Sequence, residues 1–286
     1  MSARSAQPPA VPSPRLSLTS LLSSLPSPPL PPPPAKSFGF GQYIWNKLAA
    51  IDECNATAHP AGPPCTWNND GVNNSETWAQ RRHIGKVYEL SRTFAGAFGE
   101  AAVPGRVRPV YADWPIFPQR FNATLNWFSK TYGEPSKYLY GIASTAYFGG
   151  SPLKTPMTLD QVYAEYRNST ANQAPARAEL AAIARAWGLK LLAYEAGPGW
   201  GVGNMANLGQ YILAQRFAPM RSVTSSDVQA WADAGGDVYN HFSMSGLPSR
   251  FGQWGHVEHF FNQSTPKWCA VLDATGAPLT PGCAGW

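Results

Sequence analysis

The stretch LLAYEAGPGW at residues 191–200 runs apolar and then stops on the carboxylate of Glu195, with Tyr194 just before it. It continues through two glycines and a proline to Trp200. A carboxylate that closes an apolar strand suits chemistry needing a fixed negative charge, such as nucleophilic attack or proton transfer. Other apolar runs also end on polar or aromatic groups, at Tyr111-Ala112-Asp113-Trp114, at Tyr147 and at Asn240-His241. Flat rings rimmed by hydrogen-bonding groups bind the apolar C–H faces of pyranose sugars. Trp114, Tyr147, Trp200 and Trp254 each follow such a run, and Trp254, within FGQWGHVEH, is the best placed as a sugar platform.

Each of these residues has a plainer alternative. The aromatics can be core residues, and Glu195 can be a solvent-facing strand end or help to cap the next helix. Asp113 can be a turn former ahead of Trp-Pro. His241 can bond substrate, support Glu195, or be a satisfied structural histidine. Glu258 and His259 read as outer or surface residues, and with His256 they do not make an HExxH zinc helix. The four cysteines show no CxxC or CxxH spacing, so neither a metal nor another cofactor is expected.

These residues need elements to hold them. Apolar runs predict strands at 38–45, 106–113, 138–148, 189–197 and 237–245. Helix-like spacing falls at 75–99, at 158–187 in two pieces, at 204–216 and at 224–235. Thr158 is expected to cap the 158–187 segment and Gly188 to end it. Strand–helix–strand alternation predicts a parallel sheet with right-handed crossovers, either doubly wound or a (β/α) barrel. GWGVGN (199–204) follows a strand but does not match the GxGxxG of a dinucleotide fold. Chemistry gathered at the strand ends favours the barrel.

Charged residues make up only 14% of the chain, with 26 glycines and 28 prolines, which suits a loop-rich enzyme or sugar-binding surface rather than a helical bundle. The net charge of +5 is scattered, so no nucleic-acid partner is expected, and no apolar run is long enough to span a bilayer. Cys54–Cys65 and Cys269–Cys283 are the simplest pairing in an oxidising compartment, with free thiols as the alternative. Sequons at Asn55, Asn73, Asn122, Asn168 and Asn262 point the same way, towards an extracellular or secretory protein. Residues 1–36 are Pro/Ser-rich, lack a clear signal peptide and are expected to form a disordered arm. Residues 37–286 are expected to form the single domain.

YEAGPGW is similar to the Tyr-Glu-Gly segment that ends strand seven in retaining (β/α)8 glycoside hydrolases of the cellulase and mannanase superfamily. YGIASTAYFGG resembles their strand six, and YNHFSMSGLPSRFGQWGHVEHF resembles strand eight with its following tryptophan. FGQYIWN resembles the strand-four region. The resemblance implies a partial (β/α)8 (TIM-type) barrel holding strands four to eight, with nothing ahead of residue 37 to supply strands one to three. It implies retaining hydrolysis of a β-linked polysaccharide or oligosaccharide with Glu195 as nucleophile, Asp113 as the nearest candidate for a second carboxyl group, and Trp114, Tyr147, Tyr194, Trp200, His241 and Trp254 around the sugar. On this register Tyr43 stands where the family carries its acid/base Glu. A catalytically inactive carbohydrate-binding protein and an incomplete gene product are therefore the alternatives.

Overall fold

Four parallel strands, each hydrogen-bonded to the one before it in the chain, carry the fold: β1 (Val110–Ala112), β2 (Gly141–Phe148), β3 (Lys190–Pro198) and β4 (Val238–His241). The computed structural model describes residues 38–55, 65–113, 117–150, 155–199 and 205–285, all within the unit Ser37–Trp286. The Pro-rich arm lies outside the described residues.

Helices link the strands, as parallel pairing requires. Helix α1 (Phe38–Glu53) and α2 (Ser75–Phe98) precede β1, and α3 (Pro118–Tyr132) joins β1 to β2. Helix α4 (Leu159–Ala186) joins β2 to β3. Between β3 and β4 come α5 (Leu208–Ala214) and α6 (Pro219–Asp233), and α7 (Pro266–Thr275) lies near the C-terminus. The chain is thus mixed α/β with a four-stranded parallel sheet. Its main core packs Tyr111, Ile142, Ala146, Leu191, Ala193 and Ala196 of the sheet with Phe121, Leu125, Leu180 and Ala184 of the helices.

Several expectations hold in detail. Thr158 forms a reciprocal capping box with Gln161, and Gly188 follows α4 with φ 67°. Both cysteine pairs are disulfides, Cys54–Cys65 and Cys269–Cys283, as suits an oxidising compartment. Among the described residues no helix is long and apolar enough to cross a membrane.

Three expectations are corrected. Residues 38–45 are not a strand but the start of α1, which is tied sideways to α2. Arg82 bonds both Asn46 Oδ1 (2.8 Å) and Glu53 Oε1 (2.9 Å), Lys47 pairs with Glu76, and Trp67 Nε1 donates to Glu53 Oε2 at 2.6 Å. These partners fix the Asn46–Glu53 part of α1 as helix, and residues 38–45 extend the same helix towards its N-terminus, since adding turns to a formed helix is favourable. Secondly, α4 is a single helix despite its internal Pro175. Thr170 and Arg177 both bond Asp227 Oδ1, at 2.7 and 2.9 Å, and Gln173 Nε2 donates to Tyr147 O, so anchors straddle the proline. These anchors offset the hydrogen bond that a proline removes. Thirdly, α3 and α7 were not expected. Pro118 at the first turn and the buried 3–4 spacing of Phe121, Thr124, Leu125 and Phe128 are the signals for α3.

Candidate functional site

Strand β3 carries one residue more than either neighbour. Ser144 of β2 faces Ala193 while Thr145 faces Glu195, and on the other side Tyr239 faces Ala193 while His241 faces Ala196. The extra residue is a β-bulge at Tyr194–Glu195. Its consequence is one of parity. Leu191 and Ala193 point into the helix-covered core, so strict alternation would send Glu195 there too. The bulge instead returns Ala196 to the core and turns Glu195 onto the opposite face with Tyr194, both half-buried. An ionised carboxylate is spared the several kcal/mol that burial without a partner costs, roughly as estimated for charged groups.

On that face Glu195 meets Tyr147, whose hydroxyl donates to Glu195 Oε2 at 3.0 Å. Burial, then the charge of Glu195, then this bond push the Tyr147 phenol well above its ordinary range, so it stays a donor. Tyr194 is raised likewise, by burial and then by the charges of Glu195 and Asp113. Gly199 packs against the Tyr147 ring, and a Cβ there would come within 2.5 Å of it. From Tyr147 a row of edge-to-face rings extends to Phe242 at 6.4 Å and on to Trp254 at 5.8 Å. Trp254 is half-buried and Phe242 exposed, so the row presents apolar ring surface beside a carboxylate.

Asp113 follows β1, and its backbone N–H donates to Ala143 O, so it sits at the same end of the sheet as Glu195. With β2 between them, the two backbones are roughly 9–10 Å apart at ordinary strand spacing. Its carboxylate lies 3.6 Å from Arg120 of α3, a neighbour that went unread together with that helix.

His241 ends β4 with its ring between Tyr239, at 4.7 Å, and His256, at 4.5 Å. Behind it Lys267, 2% exposed, donates to Gln253 O at 2.7 Å. Burial, and then the neighbouring Lys267, lowers His241 to about 4. Burial, His241 and Lys267 lower His256 to about 2, and burial lowers Lys267 to about 7 against the pull of Glu258. Glu258 is engaged by Arg216 at 2.5 Å.

The structure thus brings together Glu195, Tyr147, Tyr194 and Trp254, with Asp113 and His241 at the same strand ends. Trp114 and Trp200 lie outside the described residues. Tyr43, which the strand-four register had set at the acid/base position, lies in helix α1 instead. Phe242 was missed, although it directly follows β4, the same signal that singled out the other aromatics. Among the described residues no group of three or more His, Cys, Asp or Glu is disposed to hold a metal. No known family model matches the chain, and neither a curated protein nor a solved structure matches it.

Proposed function

We propose that this is a secreted, glycoside-hydrolase-like protein acting on a β-linked polysaccharide or oligosaccharide, with Glu195 as the nucleophile. In this reading β1 to β4 correspond to strands five to eight of a (β/α)8-type barrel, and the strand-four assignment of residues 38–45 is dropped. The observation that carries it is the bulge at Tyr194, which turns Glu195 off the core face and onto the face where Tyr147 grips it and the Phe242–Trp254 row begins. A Glu that merely decorated a strand end would need neither the bulge nor the phenol.

The chemistry follows from the geometry. Glu195 Oε attacks the anomeric carbon, an ester bond forms, and the bond to the leaving oxygen breaks. Tyr147 holds the attacking carboxylate in one orientation. Water then cleaves the ester. A retaining pair keeps its carboxyl groups about 5–5.5 Å apart, and in this reading Asp113 is the candidate for the second carboxyl group.

Two observations favour a second reading, saccharide binding without turnover. Tyr43 lies in α1, and Asp113 is already engaged by Arg120. One experiment separates the readings. The full chain is incubated with 2-deoxy-2-fluoro aryl β-glycosides, whose leaving groups need little protonation. A nucleophile yields an aryl burst and a glycosyl ester on the peptide that contains Glu195, and both disappear in Glu195→Gln. A binding protein yields no ester, while tryptophan fluorescence titrates with β-linked oligosaccharide and the titration is lost in Trp254→Ala. If neither response occurs, both readings fail.

A further inference from the structure

The sequons divide sharply by what their third residue does. Asn122 and Asn168 lie mid-helix, and their partners Thr124 and Thr170 are buried with their hydroxyls bonded to Arg120 O and Asp227 Oδ1. Asn73 runs straight into the cap and first turn of α2, and residue 57 of the Asn55 sequon lies outside the described residues. Asn262-Gln263-Ser264 is different. It leaves a turn closed by Asn262 N–H to His259 O at 3.0 Å, in a segment with no helix or strand. Ser264 turns back on the asparagine, its hydroxyl and backbone N–H donating to Asn262 Oδ1 at 2.8 and 3.4 Å. The Ser264 hydroxyl thus meets the amide at Oδ1 and not at Nδ2, the atom that a glycan substitutes.

Immediately before it stand Phe260, 58% exposed, and Phe261, 97% exposed. Two adjacent phenyl rings in water are an aggregation liability on a secreted surface. An N-acetylglucosamine ring offers them an apolar C–H face, and a glycan is bulky and solubilising.

We propose that Asn262 carries an N-linked glycan whose first sugars cover Phe260 and Phe261. The proposal rests on the secretory location in the reading above but not on hydrolysis. In the transfer Asn262 Nδ2 attacks C1 of a lipid-pyrophosphate-linked oligosaccharide. The N–C1 bond forms, the C1–O bond to pyrophosphate breaks, Nδ2 gives up a proton and the lipid pyrophosphate departs.

The test expresses the full chain behind a cleavable signal peptide in a eukaryotic host and reads all luminal and secreted material, so that poor secretion hides nothing. Peptide-N-glycosidase treatment in 18O water should mark Asn262 as a glycosylated site. Asn262→Gln and Ser264→Ala should each remove one glycan from the intact mass. Deglycosylating the folded protein should raise its binding of an apolar fluorescent dye several-fold, and the Phe260→Ser/Phe261→Ser variant should abolish that rise. An unmodified Asn262 peptide overturns the proposal. So does a glycan whose removal leaves dye binding unchanged, since it would then cover neither ring. Neither arm reads saccharide turnover or binding, so failure here and failure of the hydrolase reading are separate results.

Discussion

Tyr147 and Glu195 meet across the β2–β3 ladder, hydroxyl to carboxylate at 3.0 Å, although 48 positions separate them in the chain. Glu195 arrives there through the bulge, while Gln173 Nε2 donates to the Tyr147 carbonyl and Gly199 packs against the Tyr147 ring. A hydrogen bond to a charged group contributes about 1.5–3 kcal/mol. Tyr147→Phe should therefore lower the melting temperature by several degrees, and, if the same bond holds Glu195 in the transition state, lower kcat/KM on an activated aryl β-glycoside by about 10- to 100-fold. Steady-state kinetics beside a melting curve check this.

The bulge itself can be removed. Deleting Tyr194 takes out the extra residue and restores strict alternation, with Glu195 still opposite Thr145 on the outer face and Ala196 still on the core face beyond Ala193. The deletion should therefore stay folded, with a loss of stability to urea close to that of Tyr194→Ala, since each removes the Tyr194 ring and leaves Glu195 facing outward. A loss several kcal/mol larger for the deletion would mean that the strand beyond Ala193 does not settle into the regular ladder.

Asp227 is the hub behind the sheet, joined to Thr170, Arg177 and Tyr239. The Arg177 and Asp227 side chains are both 0% exposed. Asp227→Ala leaves a buried guanidinium unpaired and should cost about 3–5 kcal/mol. Urea midpoints measure it, and a loss below about 1 kcal/mol would remove this network from the account of why α4 runs through Pro175.

The cluster of His241 on β4, His256 in the loop and Lys267 on α7, with Glu258 beside it, predicts acid sensitivity. Both histidines titrate lower in the fold than in the unfolded chain, to about 4 and about 2 from 6.5. The unfolded state therefore binds more protons. Their stabilising contribution is fully present above pH 6.5 and is lost as pH falls from there towards the folded values. His256→Gln should flatten the stability–pH slope between pH 6.5 and 4.5 by up to about 1.4 kcal/mol per unit. Denaturant unfolding across that range gives the slopes of both proteins.

Gly199→Ala should act on the same site from outside it. Its new methyl group would meet the Tyr147 ring at 2.5 Å, so the ring or the Gly199 backbone must shift, which disturbs the geometry of the bond to Glu195. The expected outcome is a fall in kcat/KM on the aryl glycoside comparable to that of Tyr147→Phe, with the protein still folded by circular dichroism. An unaltered rate would mean that the ring yields without releasing the carboxylate.

Local chemistry was legible in the sequence wherever a short-range rule decided the outcome. β2 and β3 stand out as apolar runs, α4 begins at a Thr158 box and stops before Gly188, and two close cysteine pairs became two disulfides. The strand ends that bear Glu195, Tyr147 and His241 could be marked in the same way. Residues 38–45 misled because their apolar aromatics suit a strand, while the helix they begin is held just beyond them, at Lys47 and Asn46, by Glu76 and Arg82 of α2, 29 and 36 positions along the chain.

The tertiary structure alone decided which way Glu195 faces. Alternation is a property of one strand, but a bulge exists only by comparison with the strands on either side, and no pattern within LLAYEAGPGW counts residues against β2 and β4. The pairing of Asp113 with Arg120 and the line of rings from Tyr147 through Phe242 to Trp254 likewise join residues from separate elements. Sequence supplied the residue types and the elements that carry them. Long-range packing chose the partners, because hydrogen bonds and ring contacts depend on distances that only the folded chain sets.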